Sequence, residues 1–356
     1  MTTTNHLNNF EKLDSEILES HSKIADELLE VENLDLENTE YLARLLFCLE
    51  RYDESIDQFK KVISLKNDMG NAFMFIGISY FRMCNYAVAI EYFNLAVETD
   101  PENETLLSYL MLSYELLNDY ECAVRWGERI LEYNPKNDSV IARLIDYHFE
   151  LENYEECLSY ISRTDYRDHY KKALILFGAK RYGECITEAG KIRTAESHRL
   201  TGRAYHKLGN NVKAVKHLHM SYEKDSGVDV LFEISDIYLE VEDYSRAIHF
   251  LKMVLLHDET NIEANKRIAE ACLNTTKWYD AVEYAKKVIE INENVPEAYI
   301  TLAEAYFQLE ESFEKANMIL MRQYQKIPTP PCCGLKKEDT ISQMTCLNSE
   351  GHLKRQ

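Results

Sequence analysis

The sequence predicts an all-α chain built as a solenoid of repeated helix pairs, and three observations predict it. Tyr52, Tyr86, Tyr120 and Tyr154 recur at one constant interval, and each follows a turn. Three residues after each tyrosine stands a small side chain, namely Ser55, Ala89, Ala123 and Cys157. Pro101 and Pro135 follow Tyr86 and Tyr120 at equal distances and end the second helix of their units. Proline lacks a backbone N–H and pushes the preceding residue out of the helical region, so it punctuates such a unit. A fixed period in this range is the mark of stacked repeats.

The clearest unit runs from Gly70 to Pro101, GNAFMFIGISYFRMCNYAVAIEYFNLAVETDP, two amphipathic helices joined by a tight turn around Cys84 and Asn85. It resembles a tetratricopeptide repeat, with the pattern filled by Phe73, Ile76, Gly77, Tyr80, Ala89, Phe93, Ala96 and Pro101. Setting the register from this unit places nine repeats, beginning near residues 36, 70, 104, 138, 166, 195, 228, 262 and 296. The resemblance implies an all-α, right-handed α-solenoid of about nine tetratricopeptide-like helix pairs. An N-terminal capping helix (1–35) precedes the repeats (36–327), and a disordered C-terminal tail (328–356) follows them.

Composition agrees. Gly and Pro number only 11 and 6, as suits helices with brief turns. With 61 acidic against 40 basic residues, the net charge of -21 repels a phosphate backbone and argues against general nucleic-acid binding. Nine cysteines without a paired framework point to a reducing compartment, cytoplasmic or nuclear. The polar N-terminus does not read as a signal peptide, and no apolar run is long enough to span a membrane.

In chain order, Leu7, Phe10, Leu13, Ile17, Ile24, Leu28 and Val31 mark one helical face. That helix either caps the first repeat, or residues 7–31 form a homo-oligomer contact or dock on a partner. Residues 36–137 are the regular section. The next two turn positions, Tyr182 and Asn211, arrive six and five residues early, so a helix or its loop is shortened over 154–211. Charge inverts in the same stretch, with 14 Lys and Arg against six Asp and Glu from Arg163 to Lys224. This basic island either neutralises acidic repeats nearby or meets a partner. Regular spacing returns at Tyr244, Trp278 and Phe313, with Ala214, Ala247, Ala281 and Ala316 as the small residues. Trp278 reads as a packing aromatic. The tail has no period; its Cys332-Cys333 pair and two basic pairs, Lys336-Lys337 and Lys354-Arg355, are weak motifs.

Nothing in the sequence argues for catalysis, a metal or a cofactor: there is no phosphate loop, H-E-x-x-H, calcium loop or G-x-S-x-G. What remains is binding. In tetratricopeptide proteins, the second, fifth, ninth and twelfth positions of the first helices face a ligand. Carried onto this chain, that lining is Met74, Ile78, Phe81, Leu112, Phe149, Arg167, Tyr170, Leu174, Phe177, Arg199, Arg203, His206, Phe232 and Phe307. Asp229, Asp236, Glu297 and Glu304 are interspersed. Arg199 and Arg203 lie one turn apart and together suit a partner's carboxylate or phosphate.

The asparagine and lysine set with which chaperone co-factors of this family hold an acidic tail is not present: Ile78, Leu112, Arg203 and Phe232 stand at its places. The reading is therefore a non-enzymatic adaptor for a protein or peptide with apolar anchors and an acidic group. The alternatives are an architectural subunit of a large assembly, or a polyanion scaffold using residues 163–224.

Overall fold

A computed structural model of the protein describes residues 19–65, 70–309 and 318–319. Expectations placed on Leu7 to Ile17, on Phe313 and Ala316, and on the 328–356 tail lie outside the described residues. The chain divides into two compact units, Met1–Ile192 and Arg193–Gln356.

In the first unit, α1 (19–29) precedes five helix pairs. These are α2 (Leu36–Cys48) with α3 (Tyr52–Leu65), α4 (Gly70–Arg82) with α5 (Tyr86–Thr99), and α6 (Glu104–Leu116) with α7 (Tyr120–Tyr133). Next come α8 (Asp138–Glu150) with α9 (Tyr154–Ile161), and α10 (His169–Gly178) with α11 (Tyr182–Ala189). The second unit holds α12 (Ala195–Lys207) with α13 (Asn211–Lys224), α14 (Val228–Glu240) with α15 (Tyr244–His257), α16 (Ile262–Asn274) with α17 (Trp278–Ile291), and the lone described α18 (Pro296–Gln308). Within each unit, consecutive helices pack on one another, so apolar faces are buried against neighbours in sequence.

Helix starts are written in the sequence. Asp35, Asn103, Asp119, Asn137, Asp168, Thr194, Asn210, Asp243 and Asn261 each precede a helix and accept a backbone N–H from its first turn. The turn inside each pair is equally uniform. Cys84 N–H donates to Phe81 C=O at 3.0 Å and Asn85 N–H to Tyr80 C=O at 2.8 Å. This two-bond closure requires a left-handed residue. Glu50, Cys84, Asn118, Glu152, Lys180, Glu242 and Thr276 fill that place with φ between 56° and 60°, and Gly209 fills it once.

The predicted small residues sit where the two helices of a pair come closest. Ser55, Ala89, Ala123, Cys157, Cys185, Ala214, Ala247 and Ala281 are all fully buried. Ser55 Oγ donates to Ala43 C=O at 2.8 Å and Cys157 Sγ to Ile145 C=O at 3.4 Å, each bond reaching back to the facing first helix. Two of those facing positions are glycine. A Cβ on Gly77 would lie 2.5 Å from the Phe93 ring, and one on Gly202 would lie 3.0 Å from the Ala214 carbonyl oxygen.

The shortened repeats lose their length chiefly from second helices. Helices α9 and α11 have 8 residues each, against 14 in α3, α5 and α7. Helix α10 is also short, at 10 residues. The division between compact units falls directly after α11. At the other end, Ala25 of α1 is buried with Leu42, Leu45 and Leu46, while Arg51 reaches Asp26 of α1 at 2.6 Å. Ile24 and Val31 point to solvent.

A left-handed residue other than glycine costs about 1–2 kcal/mol. Glu152→Gly should therefore raise stability by about 1 kcal/mol, read as a higher midpoint in urea at unchanged slope. A lower midpoint would contradict the turn geometry.

Candidate partner-binding face

The first helices carry two kinds of outward position. One kind links successive repeats. The sixth residue of a repeat reaches back to the ninth or twelfth residue of the repeat before it. Arg44 lies 5.7 Å over the Phe75 ring, and Tyr109 meets Phe81 edge-on at 5.2 Å. Arg143 donates to Glu115 at 2.5 Å, and Lys171 pairs with Asp146. In the second unit, Glu233 takes Arg203, and Arg267 pairs with Asp236. These sixth positions recur at one repeat length, as Phe75, Tyr109, Arg143 and as Glu233, Arg267. The spacing is visible in the sequence, but its use is not, because alternating ring and charge chemistry hides the common role.

The second kind closes each repeat on itself. The twelfth residue packs against the residue five places on, across the turn. Phe47 meets Tyr52, Phe81 meets Tyr86, Phe149 meets Tyr154 and Phe177 meets Tyr182, all edge-on with centroids 5.3–6.0 Å apart. His206 repeats the clasp in polar form, with Nδ1 3.2 Å from Asn211 Oδ1.

Several predicted lining residues are thereby engaged at home. Arg199 and Arg203, expected to hold a partner's acidic group, both grip Glu233. Arg199 bonds it at 2.6 Å, and Arg203 Nε donates to its second oxygen at 3.0 Å. Burial alone would raise the Glu233 carboxyl; hydrogen bonds from Arg203 and Arg199 more than offset this and hold it below its ordinary value. His206 also faces Glu240 at 3.3 Å, and Phe232 lies under Arg267 at 5.3 Å. Ile78 is a correction, being only 7% exposed and part of the first unit's core. Helix α4 packs on α6 as well as α5, and the ninth position turns into that neighbour.

The other predicted residues line the surface. Met74, Leu112, Phe149, Tyr170, Leu174 and Phe177 are half-buried, whereas Arg167 and Phe307 are exposed. Phe81, Arg82, Thr105, Ser108, Tyr109 and Leu112 bound a depression of about 440 Å³. A second, of about 390 Å³, is bounded by Asp138, Ala142, Ile145, Thr164, Asp165, Tyr166 and Arg167, beside the truncated end of α9. Arg167 pairs with Asp165 at 2.7 Å on its rim. Among the described residues no cluster could hold a metal ion.

A family model for the tetratricopeptide repeat matches residues 70–103. The matched segment supports assigning the chain to the tetratricopeptide-repeat superfamily. That assignment joins the matched segment to the repeated helix pairs, their small-residue seams and their constant spacing. No curated protein matches the sequence. Among solved structures, Naa15/Naa10 bound to HypK-THB is 14% identical, spanning 86% of this chain and 61% of that one, with a TM-score of 0.49. The MamA MSR-1 structure is 20% identical over 44% of this chain and 93% of its own, with a TM-score of 0.37.

One tetratricopeptide slot departs from its pattern in a measurable way. The series Tyr80, Tyr114 continues one repeat later at His148, which is buried, with neither ring nitrogen hydrogen-bonded. It stacks on Tyr160 at 5.6 Å, and burial lowers its pKa despite nearby Glu128 and Glu156. Above about pH 6.5 the folded and unfolded imidazoles are both neutral. Below it only the unfolded chain takes up the proton, so stability is lost as pH falls from there to the lowered folded value. Tyr80 and Tyr114 fill the same slot with tyrosine, and near position 148 Glu128 already accepts from the Tyr160 hydroxyl at 3.2 Å, so the slot suits a ring that does not titrate in this range. His148→Tyr should flatten the loss of stability between about pH 7 and about pH 5 in thermal melts. An unchanged pH slope would contradict the assignment.

Proposed function

We propose that the protein is a non-enzymatic interaction adaptor whose first-helix face, in the Met1–Ile192 unit, holds an apolar-anchored peptide or partner segment. The depression between α4 and α6 supports this reading most directly. Four of its six lining residues, Thr105, Ser108, Leu112 and Phe81, occupy the second, fifth, ninth and twelfth helix positions. Those are the positions that the tetratricopeptide family turns towards ligands. A floor of Phe81, Tyr109 and Leu112 with hydroxyls of Thr105 and Ser108 beside it suits one aliphatic or aromatic side chain with a polar backbone running past.

The acidic group expected of the partner has no place in this reading. A carboxylate approaching Arg199 and Arg203 competes with Glu233, which already bonds both. The site we infer is therefore recognised by shape and apolar burial, with charge as a filter. Free thiols at Cys157, Cys185 and Cys272, all buried, fit a reducing compartment such as the cytoplasm, and none of the described helices is long and apolar enough to cross a membrane.

Leu112→Glu places a charge in the depression without touching a fully buried position. Proteins captured by wild type should be lost with Leu112→Glu, at a cost of about 1.5–3 kcal/mol or roughly tenfold or more in affinity. They should be retained with Glu91→Lys, an exposed change on α5. The same proteins captured by all three forms, at equal helicity, would overturn the proposal.

A further inference from the structure

Helix α13 carries a cationic stripe that repeat stacking does not use. Lys216, His217, Met220 and Lys224 follow Lys213 by three, four, seven and eleven residues, which places them on one helical face. Lys213, Lys216 and Lys224 are exposed, as is Arg193 just before α12. Lys213 leans over the Tyr205 ring at 5.2 Å. Among the described residues, no carboxylate pairs with Lys216, Lys224 or Arg193. Elsewhere in the basic island several cations are paired: Lys171 takes Asp146, Lys191 takes Glu188 and Arg181 takes Glu184.

Two histidines stand at the centre of the stripe. His198 Nδ1 of α12 lies 3.4 Å from His217 Nδ1 of α13, and the Tyr205 ring is 5.4 Å from that of His217. Burial lowers the pKa of both. Lys224 and Arg193 add to the effect on His198, and His198, Lys216 and Lys213 add to it on His217. Among the described residues no ion pair joins a carboxylate of the packed helices to Lys216, Lys224 or Arg193. On α14, Glu233 and Asp229 face Arg199, Asp236 takes Arg267 and Glu240 faces His206. On α13 itself, Glu223 pairs with His219, and on α12 hydrogen bonding lowers the pKa of the exposed Glu196. The face therefore concentrates positive charge that, among the described residues, no ion pair neutralises (Asp225, next to Lys224, is the nearest carboxylate in sequence outside the helix), in a chain whose net charge is -21.

We propose that this face of α13 docks an acidic segment of a protein partner, and that docking tightens as the pH falls. Carboxylates brought against the His198–His217 pair favour imidazolium, so binding takes up protons. A protein segment fits better than a nucleic acid. The stripe spans about 16 Å of helix, the reach of a short acidic helix or strand, whereas a long phosphate backbone meets the repulsion of the acidic remainder of the chain.

The test is fluorescence anisotropy of a labelled polyglutamate peptide with the full chain at low salt, at about pH 6 and about pH 7.5. Wild type should bind about tenfold tighter at the lower pH, and Lys216→Glu with Lys224→Glu should lose about tenfold at both. His198→Gln with His217→Gln should keep the affinity seen at the higher pH and lose the gain on acidification. Three outcomes would each overturn the proposal: wild-type binding independent of pH, a charge-reversed form that binds as well as wild type, or a single-stranded oligonucleotide that outcompetes polyglutamate.

Discussion

Each repeat depends on how closely its two helices approach. That distance is set by one small side chain in the first turn of the second helix and by the facing residue twelve places earlier. Ala89 against Gly77 and Ala214 against Gly202 leave no room for a methyl group, because Phe93 and Leu218 already fill it. With the axes that close, the two helices expose one common edge, and the next pair can bury it. Lengthening either side chain would push the pair apart and misalign every neighbour that packs on it. The left-handed residue at the turn, held by its two backbone bonds, fixes the angle at which the second helix returns.

The outward face follows from the same stacking. Once successive first helices lie side by side, their sixth positions must meet the preceding helix, and the chain fills that contact with rings in early repeats and ion pairs in later ones. Ring contacts stay apolar and leave the 440 Å³ depression near Phe81 and Leu112. Ion pairs consume the charges that a partner would otherwise find, as Glu233 does for two arginines. The first unit therefore offers an apolar surface where α4 and α6 meet. In the second unit, Lys216 and Lys224 of a second helix carry positive charge that no ion pair among the described residues takes up.

Period, small-residue slots, turn tyrosines and the shortened stretch at 154–211 are all legible in the sequence, because each shows in the spacing of single positions. The covering of Ile78 and of the arginine pair is not, for the opposite reason. Whether a ninth or fifth position is covered depends on which side chain the adjacent repeat extends towards it. Glu233 is an ordinary surface glutamate until α14 is laid beside α12. His198 and His217 likewise belong to different helices and meet only when those helices pair.

Hydrogen exchange by mass spectrometry on Gly77→Val tests the nearest-neighbour construction most directly. If helix pairs are stabilised by their neighbours, protection should fall in α2 to α7 and remain at the wild-type level in α15 to α18. An equal loss of protection along the whole chain would show a single cooperative core instead, and would contradict the account.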